Sequence, residues 1–180
     1  VSAFGEHTCG LMSDNTLACW GLNDNGQNNV PVPPAGVYYT QVSAGELHTC
    51  ALRSDNILIC WGAGITYTGT EPEYGQSIVP ALPADVYYTQ VASGYYQTCA
   101  TWSDGNLDCW GNNEFGQTDV PALPMAYSAV SAGGFHTCGL TNSGRIKCWG
   151  DNTYGQLGDG TTINRLTPGY VSGLGSGAVA

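Results

Sequence analysis

Apolar residues fall along this chain in short stretches, each broken by a polar turn, and the pattern is written four times. In the second copy Cys50-Ala51-Leu52 runs through Arg53 into Ser54-Asp55-Asn56 and returns through Ile57-Leu58-Ile59-Cys60-Trp61. Pairing Cys50 with Cys60 sets Ala51 against Ile59, Leu52 against Leu58 and Arg53 against Ile57, leaving a three-residue loop. The equivalent loops are Ser13-Asp14-Asn15, Ser103-Asp104-Gly105 and Asn142-Ser143-Gly144. The third loop residue is always Asn or Gly, which a type I turn followed by a left-handed residue requires. Cysteine spacing and turn chemistry therefore predict one hairpin register. Neighbours in a strand face opposite ways, so Cys50, Leu52, Leu58 and Cys60 share one face while Ala51 and Trp61 take the other. Both faces are apolar. Such a sheet must be covered on both sides, as stacked blades are.

All eight cysteines lie in this unit, each pair followed by Trp-Gly: Cys9/Cys19-Trp20-Gly21, Cys50/Cys60-Trp61-Gly62, Cys99/Cys109-Trp110-Gly111 and Cys138/Cys148-Trp149-Gly150. Similar leads precede each first Cys (VSAFGEHTC, VSAGELHTC, VASGYYQTC, VSAGGFHTC), and a Gly-Gln follows each hairpin at positions 26, 75, 116 and 155. Aligning Val1, Val42, Val91 and Val130 divides one repeat domain, 1–180, into repeats of about 1–41, 42–90, 91–129 and 130–180. Self-similarity of this kind predicts an array in which each copy buries its faces on its neighbours. Trp20, Trp61, Trp110 and Trp149 are expected between repeats, with Trp102 in a different environment. The second copy is longer by Ala63–Tyr74, which reads as an exposed loop. Thr40–Ala44 and its equivalents predict a strand ahead of the hairpin. The segments at Val30-Pro31, Val79-Pro80 and Val120-Pro121 should be edge strands or barely strands, because proline removes a ladder donor. No window has helical period.

Composition narrows the function. Only 10% of residues are charged, the net charge is −10, and the basic residues are Arg53, Arg145, Lys147 and Arg165. That set cannot build a nucleic-acid surface. No apolar run reaches membrane-spanning length. The chain has no initiator Met and no signal peptide, and reads as a processed or excised product. Paired cysteines opposed across hairpins point to disulfides in an oxidising, extracellular compartment. Zinc fits less well: no Cys-x-x-Cys occurs, and His7, His48 and His136 are matched in the third copy by Gln97. These four side chains read as strand polar residues near a blade edge. Calcium is a weak alternative at Asn23-Asp24-Asn25-Gly26 and Gly158-Asp159-Gly160, which lack an EF-hand ligand series. No nucleophile, phosphate loop or carboxylate pair supports catalysis, so no cofactor or metal is expected and the chain reads as a non-enzyme.

The last repeat, Trp149-Gly150-Asp151-Asn152-Thr153-Tyr154-Gly155-Gln156-Leu157-Gly158-Asp159-Gly160-Thr161-Thr162 with Arg165, Pro168, Val171 and Gly173-Leu174, resembles the regulator-of-chromosome-condensation repeat family. All four copies carry its core. The resemblance implies an all-β propeller with four-stranded blades, of which four are visible here in a larger ring or assembly. The Cys pair looks like secreted bacterial members and the ectodomain repeats of plant crinkly-type receptor kinases. No nucleotide-exchange residue of the founder is matched.

Several functions follow from these readings. The first is a secreted binding or scaffold module that offers loops to a protein or glycan partner. Its candidate contact residues are Tyr67, Tyr74, Phe115, Tyr154, Asn23, Asn113 and Asn152, in the loops between Trp-Gly and Gly-Gln; the aromatics could instead pack onto the next blade. In Tyr38-Tyr39 and Tyr87-Tyr88 one ring should be buried and the other exposed. The second is a structural subunit that joins head to tail into a ring or filament, since Val171–Ala180 reads into Val1–Cys9 without a break. That tail is expected to add a strand to a repeat it does not own. The third, by resemblance to a secreted propeller that inhibits β-lactamases, is an enzyme inhibitor.

Overall fold

The computed structural model describes residues 1–120, 126–175 and 177–178. Among the described residues there are strands and no helix. The first blade contains β1 (Ser2–Phe4), β2 (His7–Leu11) and β3 (Leu17–Gly21). The second contains β4 (Tyr39–Ala44), β5 (His48–Arg53) and β6 (Leu58–Gly62), followed by a small separate ribbon, β7 (Tyr67–Thr70) and β8 (Glu73–Tyr74). The third contains β9 (Tyr88–Ser93), β10 (Gln97–Trp102) and β11 (Leu107–Gly111). The fourth contains β12 (Tyr127–Ala132), β13 (His136–Thr141), β14 (Ile146–Gly150) and β15 (Arg165–Tyr170). Every blade is antiparallel, in simple chain order.

The hairpin register is the predicted one. Cys50 faces Cys60, Ala51 faces Ile59 and Leu52 faces Leu58. The Arg53 N–H donates to the Ile57 carbonyl at 3.0 Å. Asn15, Asn56, Gly105 and Gly144 hold φ of 64°, 65°, 86° and 71°, the left-handed positions that the turns require. Disulfides join Cys9–Cys19, Cys50–Cys60, Cys99–Cys109 and Cys138–Cys148 across Cα separations of 4.1 Å. Tyr39 and Tyr88 are buried at 2% and 4% exposure, whereas Tyr38 and Tyr87 stand at 45% and 44%.

The blades pack in one repeated way. The cystine face of each blade meets the Trp face of the next. Cys19, Leu11 and Leu17 pack with Tyr39, Ala51 and Trp61. Cys50, Leu52 and Leu58 pack with Tyr88, Val91, Ala100 and Trp110. Cys99, Leu107 and Cys109 pack with Tyr127, Val130 and Trp149. A polar staple runs beside each seam. The Gln27 carbonyl accepts from Thr49 Oγ1 and from the Trp61 indole N–H, both at 2.9 Å. The Gln76 carbonyl accepts from Thr98 Oγ1 at 2.8 Å and from Trp110 at 2.9 Å. Gln117 accepts from Thr137 at 2.9 Å. Meanwhile each glutamine's side-chain oxygen accepts the N–H two residues before it, at Asn25, Tyr74, Phe115 and Tyr154. The Gly-Gln pair therefore holds its own loop and anchors the following blade.

Several expectations need correction. Trp20 is 51% exposed, not buried, because the Trp face is covered by the preceding blade and none precedes the first among the described residues. Trp61 and Trp149 are 7% and 0% exposed as expected, Trp110 is half-buried, and Trp102 joins the same seam as Trp110. The histidines do not sit at an edge. His7 and His48 are 3% and 0% exposed and cross the seams to Thr49 and Thr98 at 2.8 and 2.9 Å. In keeping with the loss of a ladder donor at proline, the segments at Val30-Pro31 and Val79-Pro80 form no strand, and Pro121 lies outside the described residues. Among the described residues only the fourth blade has the implied fourth strand, β15. The described part of the tail bonds to its own repeat, Val171 N–H to Ile146 and the Gly177 and Ala178 N–H groups to Gly144, rather than to another; Ser176, Val179 and Ala180 are not among the described residues.

The seam histidines make stability acid-sensitive. The hydroxyl proton of Thr98 goes to Gln76, so Thr98 accepts from His48 and the neutral ring carries its proton on Nε2. Burial lowers the His48 pKa to about 3, aided by His7, and burial lowers those of His7 and His136 as well. A histidine depressed below its unfolded value near 6.5 must stay neutral in the fold while the unfolded chain takes up a proton. Stability is thus complete above about pH 6.5 and falls toward pH 3, by about 1.4 kcal/mol per pH unit for His48. Denaturant titrations at pH 7, 6, 5 and 4 should show that slope. His48→Gln should flatten it, since the third copy holds Gln97 there, bonded to the Gly133 carbonyl at 2.9 Å. An unchanged slope in that variant would assign the acid sensitivity to other groups.

Candidate functional site

The first strands of successive blades lie side by side where the blades converge. Val91 N–H donates to Gln41 Oε1 at 3.1 Å and Val130 N–H to Gln90 Oε1 at 2.8 Å. The turns that leave these strands consequently gather at one rim, and they too are linked. Glu46 N–H donates to the Gly94 carbonyl and Tyr95 N–H to the Gly134 carbonyl, each at 3.2 Å.

A row of aromatic rings crosses this rim. Tyr74 packs on Tyr96 at 5.3 Å, Tyr96 on Tyr95 at 4.6 Å, Tyr95 stacks on Phe135 at 5.3 Å and 21°, and Phe135 meets Phe115 at 5.5 Å. Phe4 of the first blade reaches Tyr95 of the third edge-on at 6.5 Å, although the Gly45-Glu46-Leu47 turn belongs to the blade between them. Tyr96 is buried, whereas Phe4, Tyr74, Tyr95, Phe115 and Phe135 are half-buried. The Tyr96 hydroxyl donates to Glu71. The carboxylate of Glu46 fills the space beside Gly5 where a side chain would otherwise stand. Burial, with the charge of Glu6 added, raises the Glu46 pKa. The charges of Glu46 and Glu71, with partial burial, raise the Tyr95 phenol, and burial together with Glu71 and Glu46 raises that of Tyr96.

The structure divides the candidate contact residues. Tyr74 and Phe115 belong to the row and pack on the next blade while keeping an open side. Tyr154 is 90% exposed and Tyr67 71%; Tyr67 lies on β7 directly across from Tyr74, but neither ring is among the packed pairs of the row. Asn23 and Asn113 are exposed, but both amides hold their loops: Asn23 accepts from Asn28 N–H at 2.8 Å, and Asn113 from Thr118 N–H at 3.0 Å. Asn152 is wholly buried, donates to the Thr161 and Ile163 carbonyls and accepts from Leu157 N–H, so it is withdrawn as a contact residue. Phe4, Glu46, Tyr95, Tyr96 and Phe135 were missed. The signal was the variation just ahead of His-Thr-Cys, where Gly-Glu, Glu-Leu, Tyr-Tyr and Gly-Phe interrupt an otherwise constant lead.

Among the described residues no group of three or more His, Cys, Asp or Glu is placed to hold a metal. Asp159, one of the calcium candidates, is instead bonded to Thr161 and to Arg165 at 2.6 Å. No described helix is long and apolar enough to cross a membrane.

Repeated antiparallel blades with cystine-to-Trp seams define a propeller-type array. The regulator of chromosome condensation (RCC1) repeat matches residues 2–27, 39–65, 88–117 and 127–156, and a second form of the same repeat matches 143–180. The chain belongs to the RCC1 repeat family. Prp20p from Saccharomyces cerevisiae, studied for its binding to Gsp1p and histones, superposes on 93% of the chain with a TM-score of 0.76 at 20% identity, over 48% of its own length. The ectodomain of receptor kinase CR4 from Physcomitrella patens covers 87% at TM-score 0.63 and 27% identity, over 41% of its length. The crinkly ectodomain of Arabidopsis thaliana receptor kinase ACR4 covers 81% at TM-score 0.61 and 28% identity, over 53% of its length. The chain thus spans about half the length of the structures it matches. No curated protein sequence matches it.

Proposed function

We propose that this chain is an extracellular, non-catalytic binding module that engages a protein partner through its aromatic rim. The observation that carries the reading is the continuous row from Tyr74 to Phe115, with Phe4 joined to it. Half-buried aromatics gathered on a rigid frame supply contact area at little cost in conformational freedom. The four cystines and the likeness to receptor-kinase ectodomains support the compartment. A random-peptide library selected on the intact chain and counter-selected on a Tyr95→Leu/Phe135→Leu variant tests the reading. Binders lost in that variant support it, and a selection whose binders all survive would refute it.

A second reading rests on a separate observation. The open Trp20 face of the first blade and the open cystine face of the fourth are the two halves of the seam that the chain builds three times within itself. The fourth-blade face holds a groove of about 370 Å³ lined by Ala129, Val130, Cys138, Leu140 and Ile146. Its fitting occupant is a blade of the same repeat type, from this chain's own continuation or from another copy. A native mass that stays monomeric over a wide concentration range would set the second source aside.

A further inference from the structure

We infer that the aromatic rim is a receptor for lysine or arginine side chains presented by a basic segment of the partner. The inference rests on the reading of the rim as a binding surface and adds the chemistry of what it takes.

The rim joins the two elements that attract an organic cation. Aromatic faces draw it through their quadrupole. Carboxylates supply a full opposite charge and hydrogen-bond acceptors. Glu46 and Glu71 both act on Tyr95 and Tyr96, and Glu6 and Glu46 stand close enough to raise the proton affinity of Glu46. Glu6 and Glu71 are exposed and Glu46 is half-buried, so all three can be approached from outside.

The counter-charge for this rim does not come from the chain. The sequence has four basic residues, Arg53, Arg145, Lys147 and Arg165. Arg53 pairs with Asp55 and Arg165 with Asp159. Arg145 and Lys147 lie over the Tyr170 ring at 3.6 and 4.7 Å. Among the described residues no salt bridge reaches Glu6, Glu46 or Glu71. Like charges held together without a partner cost free energy, and a cation from outside relieves that cost. With a net charge of −10, the whole chain also steers a basic partner toward contact.

The probe is a fluorescein-labelled octapeptide alternating glycine and arginine, with its lysine and glutamate analogues, followed by fluorescence anisotropy. The arginine and lysine peptides should bind saturably, and more weakly as salt rises. The glutamate peptide should not bind. Glu46→Gln keeps the shape of the side chain and should weaken binding about tenfold, as should Tyr95→Leu. Asp85→Asn removes the same charge from a loop beside the Ser54–Asn56 turn, and asparagine suits its φ of 64°. It should leave binding unchanged. Near-ultraviolet circular dichroism and melting of each variant separate a lost site from a lost fold. If Asp85→Asn weakens binding as much as Glu46→Gln, the attraction is diffuse charge and the inference fails. It fails too if no basic peptide binds. Rim-dependent library binders that lack lysine and arginine would overturn this inference while leaving the rim reading intact; no rim-dependent binder at all would sink both.

Discussion

Reducing the four cystines should unfold the chain under conditions where the oxidised protein is native. Each closes a sequence separation of 10 residues. By loop-closure entropy each should contribute about 2–3 kcal/mol, so together they amount to about 10 kcal/mol. That matches the entire stability of an ordinary domain, about 5–15 kcal/mol. The order of reduction should follow burial. Cys99 and Cys109 are both buried in the third seam, whereas Cys19, Cys60 and Cys138 leave one half-buried member in each of the other pairs. Cys99–Cys109 should therefore be alkylated last, after the three pairs that keep a half-buried sulfur. Timed alkylation with peptide mass spectrometry reads the order, and far-ultraviolet circular dichroism reads the fold. A fully reduced chain that kept its melting transition would show that the seams hold without their cystines.

Trp61→Ala should cost about 3–5 kcal/mol, whereas Trp20→Ala should cost less than about 1 kcal/mol. The two residues hold the same place in the repeat and differ only in cover. Trp61 is 7% exposed, packs with Tyr39 at 6.5 Å and donates to Gln27 at 2.9 Å. Removing it empties a seam and leaves that carbonyl with one donor fewer. Trp20 is half in solvent and bridges no seam. Urea denaturation of both variants measures the difference. Equal losses would mean that the first blade's Trp face is covered in solution, as it would be by a further blade.

What could be read from the sequence was what lies within one repeat. The Cys50–Cys60 register, the Asn56 turn and the split of Tyr38 from Tyr39 follow from strand alternation and turn chemistry, which are local. What could not be read was what depends on a neighbour. Trp20 and Trp61 are identical in pattern, and only the presence of a preceding blade separates them. His48 looked like an edge residue because its partner, Thr98, lies a whole repeat away. Asn152 looked like a loop-surface residue because its carbonyl partners at Thr161 and Ile163 come from a segment with no regular pattern of its own. Tyr67 and Tyr154 were chosen as aromatics in the variable loops, and a place in such a loop does not by itself gather rings together. The rim joins residues from all four repeats. Its constituents were visible as variation ahead of His-Thr-Cys, but their convergence comes from blade packing.

The sameness of the seams has a consequence for how the chain reaches its native state. Every cystine face offers the same groove of Leu and Cys, and every Trp face the same wedge of Tyr, Val or Ala, and Trp. Such surfaces carry no address. A newly made third blade can dock on the first as readily as on the second, and a blade from another molecule can take either place. Correct order is imposed by the short tethers between hairpins, which keep the right neighbour at the highest local concentration. Refolding should therefore be sensitive to protein concentration, with exchanged and skipped-blade forms accumulating as it rises. The connections between blades, bland as sequence, act as the proofreading element of this architecture.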